Sequence, residues 1–417
     1  MMRGPIARAT LRTSAVLGLR LLAQAATLLI VARLLGPVQF GAFVGMAALA
    51  VMFGALSTFG THLLLLREVS RAPDKPPQWL PIAFAATLLC GTALLLVYLA
   101  VTMLWLSPAG MSAVALLAIA ISDIVVLPLL ALPAVLRQGQ GQIARAQVLV
   151  VLPQVMRLIA ASTVMLWHPD AALTVYALAY ALAALACLPI AWHTLPAGWA
   201  EGWRWTLPSW TQWREASGYA VLNLSALGPN ELDKTLAVHL LPAAAAGTYA
   251  AGSRVLGPLV LPVLAMMISA LPRMFRTQDE PSNRSRLLRV TLFIAMAYGL
   301  LAGVALWVAA PVIAWAFGER YADLVGTLHW LAFAVPGLSM RYVISNILMT
   351  SDQPLSRVVI ELFGLFILWM VAIFAEKYGA AGMAGALVCA EWGMVLFGIT
   401  LFRGNKLPQE IRRLTNF

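Results

Sequence analysis

Apolar residues run in stretches of about twenty along nearly the whole chain, separated by short polar joints. A helix needs ~20 such residues to cross the ~30 Å hydrocarbon core of a bilayer. Windows of that length predict twelve spans. Six fall in the first half, at approximately 13–34, 38–60, 79–106, 112–136, 143–167 and 170–194. Six follow at approximately 217–241, 245–270, 287–317, 324–349, 356–375 and 380–402. Proline and glycine mark the joints, as in Gly36-Pro37, Pro76-Pro77, Ser107-Pro108 and Pro196. The fold class predicted is an all-α polytopic membrane protein with about twelve transmembrane helices.

One span departs from the pattern. Residues 217–241 are long enough to cross, yet their outer half holds Asn230, Glu231, Asp233 and Lys234. At 100° per residue Asn223, Asn230 and Lys234 fall within about 40° of one another, so one face of the helix is polar. A charge at mid-membrane costs ~2.5–3.5 kcal/mol on insertion scales, so these side chains need partners or a water-filled cavity. An internal Glu231–Lys234 pair at i,i+3 meets the first need, and a cavity-lining face meets the second. Other spans hold Arg20, Asp123, Arg157, Arg254, Arg341, Glu361 and Glu391. Arg341 and Glu361 form a candidate structural ion pair near the cytoplasmic side. Arg20 and Arg157 share the first half with one intramembrane acid, Asp123, so at least one of the two arginines lacks a partner there. A spare guanidinium suits phosphate, because it forks two hydrogen bonds to the oxygens. The acids Asp123, Glu231 and Asp233 are candidates for coupling to an ion, as burial raises their proton affinity. His62 and His239, near span ends, are read as boundary residues.

Composition agrees with this class and removes others. The 417 residues are 61% hydrophobic and 11% charged, against about 25% charged in soluble domains. The net charge of +11 would suggest nucleic acid in a soluble protein, but here its placement decides. Alternate joints carry twenty Lys and Arg on the side of the N-terminus, including Arg67, Arg71, Lys75, Arg137, Arg145, Arg204 and Arg214; the opposite side has only Arg33, Arg320 and Lys377. Positive residues stay inside, so both termini are expected in the cytoplasm and nucleic acid is not an expected partner. Arg3, Arg8 and Arg12 ahead of an apolar run mimic a signal peptide, but further spans follow, so the run is read as an uncleaved first helix. Cys90, Cys187 and Cys389 all lie inside apolar runs and suggest neither a disulfide framework nor a metal site. No phosphate-binding GxxxxGK[ST] loop, HExxH or GxSxG motif occurs, and the predicted outer loops leave little room for an external catalytic domain.

The chain also carries a weak repeat. Shifted by 206 residues, LLGPVQFGAF (34–43) lies over LLPAAAAGTY (240–249), and Arg67 over Arg273. A displacement of six spans preserves orientation, which predicts two pseudo-symmetric six-helix bundles related by an axis along the membrane normal. The domains expected are an N-terminal lobe over 1–194, a linker over 195–216, a C-terminal lobe over 217–402 and a basic cytoplasmic tail over 403–417. The linker holds Trp199, Trp203, Trp205, Trp210 and Trp213. Trp favours the membrane boundary, so an interfacial segment is expected, with a partner-binding surface as the alternative.

Several stretches resemble the bacterial polysaccharide or O-antigen (Wzx-type) flippases of the multidrug/oligosaccharidyl-lipid/polysaccharide exporter superfamily. They are ARLLGPVQFGAF with FGTHLLLLREVSR, the run from Leu232 to Arg276 that begins LDKTLAVHLLPAAAAGTY, FGERYADLVGTLHWLAFAVPG, and KYGAAGMAGALVCAEW. The resemblance implies bundles around a central cavity that opens alternately to each side of the bacterial plasma (inner) membrane. It implies an undecaprenyl-pyrophosphate-linked oligosaccharide as cargo, surrounded by membrane lipids, and no cofactor beyond a coupling H+ or Na+. Polysaccharide polymerase and glycosyltransferases would be the pathway neighbours. Cavities of this family are typically cationic, and Arg20, Arg157, Lys234 and Arg254 match by type and position, with Asn223 and Asn230 beside them. A drug exporter of the same superfamily is one alternative, and a membrane-embedded polysaccharide polymerase or ligase is another from a different class.

Overall fold

A computed structural model describes residues 5–106, 110–195, 206–276, 281–321, 323–350 and 354–404, with backbone alone for 5–15, 17, 222, 225–230, 268–276, 281–288, 349–350, 354–355 and 401–404. These residues form twelve membrane-length helices and one short one; the described residues contain no strand. Helices α1 (5–35) and α2 (37–57) are continuous except at Gly36, whose φ of 67° and ψ of 172° break the helix. Glycine adopts that conformation without a Cβ clash, and Pro37 then starts α2 at a position where its missing N–H is no loss. The short α3 (Thr61–Arg71) precedes α4 (Trp79–Leu106), α5 (Ala113–Gly139), α6 (Ile143–Trp167) and α7 (Ala172–His193). Then come α8 (Trp210–Leu240), α9 (Ala243–Arg276), α10 (Pro281–Phe317), α11 (Leu324–Thr350), α12 (Pro354–Ala375) and α13 (Gly379–Gly404).

These limits lie close to the hydropathy windows at most ends, but α1, α8 and α10 start earlier than their windows and α9 ends later. Helix α8 begins at Trp210 rather than near 217. Its start is a capping box: Gln212 N–H donates to Ser209 Oγ (3.4 Å) and Ser209 N–H donates to Gln212 Oε1 (2.8 Å). The first turns are polar, so hydropathy alone passes over them. Within the expected linker, Trp210 is 82% exposed, whereas Trp213 packs edge-on against Phe59 at 4.8 Å. Residues 196–205, with Trp199, Trp203 and Trp205, and the tail from 405 lie outside the described residues.

The chain divides into two compact units between Leu227 and Gly228. In the first, α2 is enclosed almost all round: Phe40, Phe43, Met46, Ala47, Ala48 and Ala50 are all at most 6% exposed. A helix apolar on every face belongs in the middle of a bundle. The start of α8 is tied to this unit by Arg67–Glu215 (3.1 Å) and by the Asn223 amide, which donates to the Ala55 carbonyl (3.1 Å). In the second unit α11 takes the central place, against α9, α10 and α13. Gly299 and Gly303 of α10 lie against Pro336 and Ala332 of α11, where a Cβ would strike the α11 backbone. Such small-xxx-small spacing lets helices in lipid approach closely.

The outward faces are apolar. On α10 alone Phe293, Leu301, Val304, Val308, Val312 and Trp315 are each more than 60% exposed. Nine apolar stretches among the described residues are long enough to cross a membrane, and two of them, Gly18–Ser57 and Ser356–Thr400, contain two helices each. The chain is a multi-pass membrane protein.

Candidate functional site

The charges inside the spans are gathered into three groups. The first lies between α5, α6 and α7. Residues Ile121–Val126 of α5 form a π-helical turn, a distortion that recurs at functional positions, and it carries Asp123. Gly54 of α2 faces the Asp123 carbonyl so closely that a Cβ there would overlap it. Arg157 Nη2 donates to Asp123 Oδ1 (2.6 Å) and to Ser122 Oγ (2.8 Å). The Tyr180 hydroxyl donates to both Asp123 oxygens, at 3.0 and 2.8 Å. The guanidinium of Arg157 sits 3.5 Å over the Tyr180 ring, and Phe43 and Tyr176 close the site. Asp123 is 2% and Arg157 6% exposed. Excellent geometry is what allows such a pair to stand in an apolar interior.

The second group joins α8 and α9. Lys234 Nζ lies 3.0 Å from Asp233 Oδ1 and 3.7 Å from Glu231 Oε2, while Arg254 reaches the same Glu231 oxygen at 3.6 Å. The Tyr249 hydroxyl donates to Asp233 Oδ2 at 2.7 Å. Asp233 and Lys234 are buried; the Arg254 side chain is 34% exposed. The i,i+3 contact and the link to α9 therefore coexist. The side chain of Asn230 lies outside the described residues.

The third group corrects an expectation. Within ion-pair distance, Arg341 of α11 bonds Glu391 of α13 (2.7 Å) and Glu361 of α12 bonds Arg357 one turn away (3.0 Å). Arg341 takes Glu391 as its ion-pair partner because α11 packs along α13 far more than along α12, and the charge of Glu361 also acts on it.

Arg20 stands apart. It is partly buried on α1, and among the described residues it makes no hydrogen bond or ion pair. Each intramembrane acid that is described, by contrast, has a base within 4.0 Å. Arg157, also named as an anion site, is already held by Asp123 through Nη2 and covered by Tyr180, while its Nε is buried without a hydrogen-bond partner. Asn223 likewise gives its amide to the α2 backbone rather than to an open face. Among the described residues no cluster of three or more His, Cys, Asp or Glu could hold a metal.

Residue-by-residue reading missed the tyrosines. Tyr176 and Tyr180 sit one turn apart on α7, and Tyr249 stands on α9, each with no charge to draw attention. The available signal was hairpin register. Asp123 and Arg157 lie at nearly equal distances either side of the turn at Gln140–Gly141, as do Asp233 and Tyr249 about Leu241.

Comparison with known proteins supplies the family. The model of the polysaccharide biosynthesis protein family matches residues 6–278. The chain belongs to that family. A search of the curated proteins returns no match. Among solved structures, this polysaccharide biosynthesis protein is similar to the lipid II flippase MurJ in an inward closed conformation, with TM-score 0.73, 14% identity, and 97% of this chain and 90% of that chain covered. It is similar to a multidrug resistance MATE family transporter of the MOP superfamily in an inward-facing conformation, with TM-score 0.70, 15% identity and 95% and 96% covered. A MOP superfamily transporter from Pyrococcus furiosus, titled for the reverse polarity of its binding pocket, aligns with TM-score 0.63, 15% identity and 100% and 98% covered. At such identities the shared property is the fold.

One group on the short helix α3 titrates in an accessible range. His62 Nδ1 meets Thr58 Oγ1 at 2.8 Å, and burial lowers the imidazole from 6.5 to about 4. The neutral ring is the folded form, so its stabilisation is complete above pH 6.5 and is lost as pH falls toward 4. Thermal unfolding of the detergent-solubilised protein should show wild type losing more stability than His62→Gln between pH 6.5 and 4. Parallel pH curves for the two would remove His62 from the account.

Proposed function

We propose that this protein is a flippase that moves an undecaprenyl-pyrophosphate-linked oligosaccharide from the cytoplasmic to the outer leaflet for surface polysaccharide synthesis. The observation that carries the reading is the charge pairing within a polysaccharide biosynthesis protein. Every described intramembrane acid is neutralised by a base, and Arg20 is left over. A span residue of uncompensated positive charge attracts an anion, and pyrophosphate offers the bidentate oxygens a guanidinium prefers. In the second unit, Arg254, a third exposed, is the alternative candidate for that contact. The same pairing disfavours a cationic drug as cargo, since no described intramembrane acid is free to meet it. Asp123, Asp233 and Glu231 remain the groups for coupling to H+ or Na+.

Both termini face the cytoplasm in this reading, on the strength of the charge asymmetry. The test is reconstitution in liposomes with lipid-linked oligosaccharide and a single cysteine at Asp170 to report orientation. The reading expects protein-dependent relocation of the sugar with no change in its mass, and labelling of position 170 from the external face. A changed mass indicates a polymerase or ligase; no relocation overturns the flippase.

A further inference from the structure

The turn between α5 and α6 holds two arginines that the charge pairing above does not use. Arg137 Nη1 donates to Gln140 Oε1 (3.2 Å) and Gln142 Oε1 (3.3 Å), and Arg145 Nη1 donates to the same Gln142 oxygen at 3.1 Å. Gln140 in turn donates to the Pro73 carbonyl (3.4 Å), which fastens the turn to the joint before α4. Two like charges thus converge on one amide oxygen. Among the described residues neither has an acid within ion-pair distance; Arg67, by contrast, holds Glu215. Bringing two guanidinium groups together without a counter-ion is unfavourable unless an anion completes the set.

The surroundings indicate where that anion comes from. Ile143 is 53%, Val148 51% and Val150 37% exposed, so lipid-facing surface begins within a turn of Arg145. The arginines therefore stand at head-group level, above acyl chains, on the side that bears the excess of basic residues. Helix α6 also starts without a side-chain cap, leaving amides of its first turn open beside Arg145.

We infer that Arg137 and Arg145 form a site for the phosphate of a membrane lipid at the cytoplasmic leaflet. Gln140 and Gln142 hold the two guanidinium groups in a fork around it. The phosphate can belong to an anionic phospholipid or to a polyprenyl pyrophosphate, and in the second case the site is the landing place of the cargo proposed above. Binding is measured without transport, so this site and the flippase reading can fail separately.

The experiment is native mass spectrometry of the full-length protein titrated separately with phosphatidylglycerol, undecaprenyl pyrophosphate and phosphatidylcholine. Wild type is expected to retain one or both of the first two more strongly than the zwitterionic lipid. Arg137→Gln and Arg145→Gln should each weaken binding about fivefold, and the double variant multiplicatively. Arg67→Gln, a cytoplasmic arginine already paired, is the comparison for nonspecific charge loss. Should Arg137→Gln fail to fold, Arg145→Glu on the exposed side of the turn serves instead. Loss for both lipids marks a general lipid-phosphate site; loss for the pyrophosphate alone marks a cargo entrance. Equal binding by wild type and the Arg145 variants, or an equal loss in Arg67→Gln, overturns the site.

Discussion

Replacing Asp123 by alanine is expected to remove most of the protein from the membrane fraction. The substitution strands Arg157, 6% exposed, without its 2.6 Å partner. Breaking a buried pair by removing one member costs ~3–5 kcal/mol, a large part of a typical stability. Arg157→Ala should do similar damage by orphaning the carboxylate, which keeps only the Tyr180 hydroxyl and the Ser122 hydroxyl. Tyr180→Phe should do less, since it deletes one donor to a charged acceptor, worth ~1.5–3 kcal/mol. The double replacement Asp123→Leu with Arg157→Met should recover folded protein, because apolar residues of similar volume often match or exceed a buried pair in stability. Fluorescence-detected size-exclusion chromatography with a thermal ramp measures all four. A double variant as unstable as either single one would show that the site does more than balance its own charge.

Arg20→Ala is expected to give the opposite result: normal folded protein and a loss of transport exceeding tenfold. Arg20 has no described partner, so its removal orphans nothing. What it removes, in the proposed reading, is the guanidinium that receives the pyrophosphate, and a charge-assisted bidentate contact is among the stronger polar interactions available. Arg20→Lys should restore part of the activity, because it keeps the charge but not the planar fork. Relocation of lipid-linked sugar in liposomes, normalised to reconstituted protein, is the measurement. Full transport by Arg20→Ala would make Arg20 irrelevant to cargo and return the pyrophosphate contact to Arg254. The Arg20 and Asp123 variants thus separate two roles that an intramembrane charge can have, one read in transport and the other in protein yield.

The sequence by itself determined the number and approximate limits of the membrane helices, because hydropathy is a local sum and lipid admits few alternatives to a helix. It also showed which residues carry charge inside the spans. The earlier start of α8 was legible too, in the Ser209–Gln212 capping box, though not to a hydropathy window. Only the tertiary structure decided which charge meets which. Arg341 finds Glu391 fifty residues away because α11 and α13 pack side by side, and Glu361 falls to Arg357 on its own helix. Tyr180 and Tyr249 enter the sites because neighbouring helices present their hydroxyls to carboxylates they do not adjoin in sequence. Arg20 stands out only once every described intramembrane acid has been seen to have a partner. Pairing depends on helix rotation and crossing, which one side chain's hydropathy does not encode, and so the candidate site became readable only in three dimensions.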